Sequence, residues 1–282
     1  MRRPLVLIAV LYLTLPQADA IAQAGNRAET EHLVVEWVDG TSETEIAAAK
    51  SEGEKFYAAI ASLLGGVPDH KIVVMLRGPS EQPNGRREAP SVDALGRIQL
   101  FKFDPAGHSY FSALAHEMVH AFRFSRPDKD WFFEEGFAEL IALRVDPSLS
   151  GFPWFDFPVD VVAGQWIVRG EDIPLAELQG RHAELNQPCR AQSYGLRSSF
   201  FDYLGRAYGD ETVIAMASRE KAGSAQDYEQ FFKKPFDALE AEWRAALLAS
   251  YQKIENADAL AARYRQESPI QYAPVCKRGE QF

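Results

Sequence analysis

Apolar positions change period partway along this chain. From residue 33 to about 103 they come in short bursts. Leu33-Val-Val-Glu-Trp-Val38 and Lys71-Ile-Val-Val-Met-Leu-Arg77 read as strands, and Arg97-Ile-Gln-Leu-Phe-Lys-Phe103 alternates as a half-buried or edge strand does. Between the first two, Ile46, Phe56, Ile60, Leu63 and Leu64 recur at helical spacing, so 43–64 is an amphipathic helix closed by Gly65-Gly66. Residues 78–95, with Gly, Pro, Ser, Asn and charges, read as a surface loop. Beyond 109 the period is helical. Helices are expected at about 109–124, 133–144, 194–208, 210–219, 225–233 and 236–265, with Asp210 as a cap and Pro235 in a first turn. Residues 145–190, rich in Pro and Gly, predict an irregular stretch whose Phe152, Trp154, Phe155, Phe157 and Trp166 pack inward.

The order implies an α+β fold. A small mixed α/β lobe (30–130) packs on a mainly helical lobe (131–282), and a site is expected in the cleft between them. Residues 1–22 are set apart as a signal peptide. A basic start, Met1-Arg2-Arg3, precedes an apolar run from Pro4 to Leu15 and small residues that place cleavage between 20 and 24. The run is too short for a comfortable membrane span, so an exported protein, periplasmic or secreted, is expected. In such a compartment the two cysteines, Cys189 and Cys276, are expected to pair. A net charge of −10 without a basic stripe argues against nucleic acid as a partner.

The chemistry is concentrated in His116-Glu117-Met-Val-His120. Helix positions four apart share a face, so two imidazoles can meet one metal ion, while Glu117 stands a quarter-turn aside, where a base can take a proton from water. Phe111, Leu114, Ala115, Met118, Val119 and Phe122 supply that helix with a buried face. A catalytic zinc needs a third protein ligand and an open position. Trp131-Phe-Phe-Glu134-Glu135-Gly136-Phe-Ala-Glu139 offers two rivals, Glu134 and Glu135, about 100° apart around a helix. Glu139, four residues beyond Glu135, can accept a hydrogen bond from the far nitrogen of a ligating histidine. His32, His70 and His108 have no partners at ligand spacing and read as surface or packing residues.

The two phrases together, His-Glu-x-x-His and Glu135-Gly-Phe-Ala-Glu139, resemble the gluzincin zinc metallopeptidases, most of all the collagenase and peptidase MA-like versions. The strong match covers about 109–145, with a weaker one over 172–247. The metzincin pattern would need Gly at 123 and His at 126, and both are Arg. The resemblance implies a thermolysin-like catalytic core with one Zn2+ on His116, His120 and Glu135. Glu117 would be the general base and Glu139 the acid behind a ligand histidine. The substrate would be a peptide or protein, cut by an endopeptidase or oligopeptidase. It also implies a Tyr or His from the helical lobe at the oxyanion: Tyr194 first, with Tyr110, Tyr203 and His182 in reserve. The Gly-x-Met-Glu-Asn phrase of the aminopeptidases is missing before His116, which disfavours that kind of exopeptidase. A non-catalytic, zinc-stabilised binding module of the cell envelope is the alternative. The strand at 97–103 would suit an extended peptide along its edge.

Overall fold

The computed structural model describes residues 26–78, 90–101, 113–125, 130–146, 157–181, 185 and 189–267. Residues 1–22, read from the sequence as a signal peptide, and Cys276 lie outside them. Five strands form one mixed sheet, in spatial order β1-β2-β3-β5-β4. β1 (Arg27–Glu29) runs antiparallel to β2 (Leu33–Trp37) at one side. α1 (Glu43–Leu64) then crosses over to β3 (Ile72–Arg77), which pairs parallel with β2, Leu33 opposite Ile72. β4 (Ser91–Val92) is a two-residue strand within the expected loop, antiparallel to β5 (Ile98–Phe101), which pairs parallel with β3 on its other side.

Local chemistry accounts for these elements. Ser42 caps α1 and Glu45 reaches back to close a capping box, while Gly65, left-handed at φ 67°, ends the helix. Ile46, Ala49, Phe56 and Ile60 are buried where α1 packs on β2, α2 and α3. In β3 the side chains alternate, with Ile72, Val74 and Leu76 buried. β5 differs from the edge strand of the sequence reading. Ile98 and Leu100 are fully buried, and β4 occupies its outer side at Ile98 and Gln99.

The helical part begins with α2 (Leu114–Phe122), which packs against α1, β5 and α3 (Trp131–Val145). α3 is the central element. Every residue from Phe132 to Ala142 is buried, so it has no solvent face over that span. Asp130 caps it, its carboxylate accepting from the Phe133 amide at 3.0 Å.

The stretch expected to be irregular instead holds α4 (Val159–Arg169) and α5 (Leu175–Gly180). Pro158 and Pro174 stand at their amino ends, where a fixed φ and a missing N–H do no harm, and Gly170 at φ 68° stops α4. Phe157 and Trp166 are buried as expected; 151–156 lie outside the described residues.

α6 (Arg190–Tyr208) packs on α3 and α4. α7 (Asp210–Ala217), α8 (Ala225–Phe232), α9 (Phe236–Lys253) and α10 (Ala257–Glu267) follow. Asp210 is the first residue of α7 rather than its cap, and its carboxylate accepts from Arg144 at 2.7 Å. One apolar core runs from Leu33 in the sheet through Phe133 and Phe201 to Leu247 in α9.

Candidate metal centre

α2 holds His116 and His120 one turn apart on one face, and both are buried. Their Nε2 atoms point at each other, 3.1 Å apart, with the rings nearly perpendicular at 79°. α3 brings in Glu135. Its Oε2 lies 3.4 Å from His116 Nε2 and its Oε1 lies 3.6 Å from His120 Nε2. Donor atoms bound at about 2.0–2.1 Å in a tetrahedral site stand roughly 3.3–3.4 Å from one another, so this triangle has the size of a metal site. The group could therefore bind a metal ion.

The residues fit such an ion chemically as well. Glu135 Oε2 is buried and has no hydrogen-bond partner among the described residues, an arrangement that a ligated cation relieves. Two neutral imidazoles and a carboxylate are the donor set that first-row divalent ions, zinc among them, accept. Behind His116, Glu139 is fully buried with Oε1 3.0 Å from Nδ1. A proton on Nδ1 facing that carboxylate leaves the Nε2 lone pair for the centre. Burial opposes a charge on His116. The Glu139 charge, contacts with Glu135 and Glu139, and the Glu117 charge outweigh it and hold the imidazole well above its usual range. Burial likewise pushes Glu135 up, but both histidines and Arg197 carry it well below the usual carboxylate range. These shifts describe acids gathered around a place for positive charge.

Glu134, the rival ligand, is committed elsewhere. It takes a two-pronged contact from Arg123, Nε donating to Oε2 at 2.7 Å and Nη2 to Oε1. Arg123 Nη1 donates to the Ala217 carbonyl at 2.7 Å, and the guanidinium lies 4.8 Å over the Phe137 ring. This buried pair ties the end of α2 to the start of α3 and to the end of α7.

α6 closes the other side. Gly136 has no room for a side chain, since a Cβ there would sit 2.2 Å from Phe201 Cδ2 and 2.9 Å from Arg197 Cγ. The tyrosine expected near the centre is there: Tyr194 is buried, its ring centroid 6.3 Å from that of His116. Tyr203 is remote from it, contacting Tyr208 and Glu242, with its hydroxyl pushed up to about 12, mainly by burial. Tyr110, His108 and His182 lie outside the described residues. His32 hydrogen-bonds Glu54 and stacks on Tyr57 at 4.2 Å, and exposed His70 sits beside Asp69, so neither joins the centre. Cys189 is disulfide-bonded.

The sequence reading missed two arginines here. Arg123 entered only as an obstacle to another ligand pattern. Arg197 is fully buried on α6, with Nη2 3.7 Å from Glu135 Oε2 and its guanidinium 4.4 Å over the Tyr194 ring. Its one visible signal is a basic residue placed among positions that the helical period assigns to the interior. Compared with known proteins, the chain matches no family model and no curated protein.

Proposed function

We propose that this protein is a zinc-dependent peptidase of the gluzincin type, exported and built on a thermolysin-like core. The observation that carries the reading is the meeting of His116, His120 and Glu135 around one point, with Glu117 on the same helix and Glu139 behind His116. Zinc at that point supplies Lewis acidity toward a peptide carbonyl and makes water a better acid. Glu117 takes the proton from the attacking water and delivers it to the departing amine. Tyr194, beside His116, offers its hydroxyl to the oxygen that gains charge. Glu139 fixes the His116 ring so that Nε2 faces the centre. Packing of α2 against both β5 and α3 supports the core assignment. The basic and apolar start and the bonded state of Cys189 support export. Among the described residues no helix is long and apolar enough to cross a membrane.

The test is metal analysis with peptide cleavage on the protein freed of residues 1–22. The native protein is expected to hold one zinc per chain and cut an extended-peptide library. Glu117→Gln should keep the zinc and lose cleavage by a factor of at least about 10², since general-base contributions run to 10²–10⁴. A native chain that binds no metal sinks the reading. Zinc bound tightly with no peptide cut would instead identify a metal-stabilised binding module.

A further inference from the structure

We propose that the groove at the carboxyl ends of α1, α2 and α7 is a docking site for a peptide segment that carries basic side chains between apolar ones. The inference stands on the groove alone and does not need the metal. Leu64, Phe122 and Ala217, the last residues of those three helices, all line it, together with the turn that leads from α1 to β3. Its volume is about 450 Å³. Two exposed large apolar side chains lie in its wall, Val67 at 65% exposure and Phe124 at 37%. Gly96 lies beside the Phe124 ring, and its chain neighbour Leu95 is 71% exposed. Apolar surface gathered around a groove marks a place for a partner.

Charge decides what that partner is. The carboxyl end of a helix carries partial negative charge and carbonyls that its own amides do not reach. Three such ends open here. α1 and α7 have no basic residue in their last turns, and the one in α2 is His120, a candidate ligand. Asp69 adds a carboxylate at the rim, its side chain almost wholly exposed, with His70 Nδ1 2.7 Å away. The basic side chains that flank the lining segments are turned to other acids: Lys71 pairs with Glu29, and Arg219 with Asp227. Arg123 shows how the groove receives a cation. Its guanidinium, held by Glu134, donates to the Ala217 carbonyl at 2.7 Å and covers the Phe137 ring. A guest lysine or arginine would meet helix-end carbonyls and Asp69 in the same way, while its apolar neighbours cover Val67 and Phe124. The net charge of −10 draws such a segment and repels an acidic one.

Fluorescence anisotropy of an end-labelled peptide, Phe-Arg-Leu-Lys-Phe, tests this on the Glu117→Gln chain, which lacks the proposed base and leaves the probe whole. Saturable binding is expected below about 1 mM. Phe-Glu-Leu-Glu-Phe should bind at least about tenfold more weakly, and so should Ala-Arg-Ala-Lys-Ala, because each keeps only one half of the match. Asp69→Lys should weaken binding of the basic peptide about threefold to tenfold, and less so at high salt. Val67→Ser should weaken it about twofold to fivefold. Both positions are exposed, so neither change threatens the fold. Val168→Ser, at an exposed apolar position on α4 outside the groove, should leave binding unchanged. No saturable binding, equal binding of basic and acidic peptides, or binding that neither Asp69→Lys nor Val67→Ser moves would overturn the proposal. So would concentration-dependent self-association that Val67→Ser abolishes, which gives the groove to a second copy of the chain. A chain that binds no zinc sinks the peptidase reading and leaves these outcomes untouched.

Discussion

Glu134 and Glu135 are chemically identical neighbours with opposite fates, and the difference is one residue of helical rotation. Glu135 turns toward the imidazoles, whereas Glu134 turns toward Arg123. Removing each should therefore fail differently. Glu135→Ala is expected to lose the metal while keeping the fold. Glu134→Ala should keep the metal and lose roughly 3–5 kcal/mol of stability, because it strands a buried guanidinium. Metal content and urea melts of the two variants check this, and retained zinc in Glu135→Ala with loss in Glu134→Ala would reverse the assignment. The histidines, Glu117 and the pair of acids were legible in the sequence because their spacing is local to two helices. Arg123 and Arg197 were not. Arg123 is recognised by a carboxylate on the next helix and by a carbonyl nearly a hundred residues away, and no local pattern encodes such partners.

Asp130 allows a second test at this scale. Burial, with some help from the Glu134 charge, raises its carboxyl above the usual value despite the hydrogen bonds it accepts from Phe133 and Gln179. A folded-state value above the unfolded one means stability is lost as pH climbs from the unfolded value through the folded one. Asp130→Asn keeps the cap on α3 without the charge. It should be more stable than native at pH 7, with the advantage gone in acid below both values. Asp130→Ala loses the cap and should cost about 1 kcal/mol. Urea melts at pH 3 and pH 7 decide it, and an Asn variant weaker than native at pH 7 contradicts the argument.

Between elements, the decisive contact is α3 against α6 at Gly136. A methyl group there meets Phe201 at 2.2 Å and 2.4 Å, and Phe201 is itself packed edge-on against Phe133 and Phe200, so the ring has little freedom to give way. Gly136→Ala should force the helices apart, cost about 1–3 kcal/mol or more as overpacking does, and shift the neighbouring Glu135. Zinc affinity should fall with it. Gly180→Ala is the control. Its added methyl at the end of α5 enters open space, so zinc affinity should not move. Equal zinc affinity in Gly136→Ala and native protein would contradict the coupling. The elements themselves were readable where caps and period agree, as in α1 from Ser42 to Gly65. They were misread where breakers start helices, as Pro158 and Pro174 do. The reverse error joined α9 to α10. No Gly or Pro separates them, and the break is made by Asn256 in the left-handed region at φ 57°.

For the whole molecule, the candidate metal centre lies where the sheet-bound helix α2 meets α3, and the core continues past it from β2 to α9. A metal there fastens a junction that apolar packing already holds, so its removal should weaken the molecule without dividing it. A ligand that binds only the folded state adds about 4 kcal/mol when free at a thousand times its dissociation constant. For a chain of this size that corresponds to roughly 8–16 °C, at about 2–4 °C per kcal/mol. Stripping the protein with a strong chelator should therefore lower its melting temperature by about that much, and restoring zinc should reverse the change. Glu135→Ala should melt alike with and without chelator. Because one core spans both parts, the stripped protein should still unfold in a single step, with helix loss in far-ultraviolet dichroism coinciding with loss of aromatic packing in the near-ultraviolet. Two separated transitions would mean that the ion, rather than the packing of α3 against α2 and α6, joins the two parts. A melting temperature indifferent to chelation would mean that the histidines and Glu135 converge for some purpose other than holding a metal.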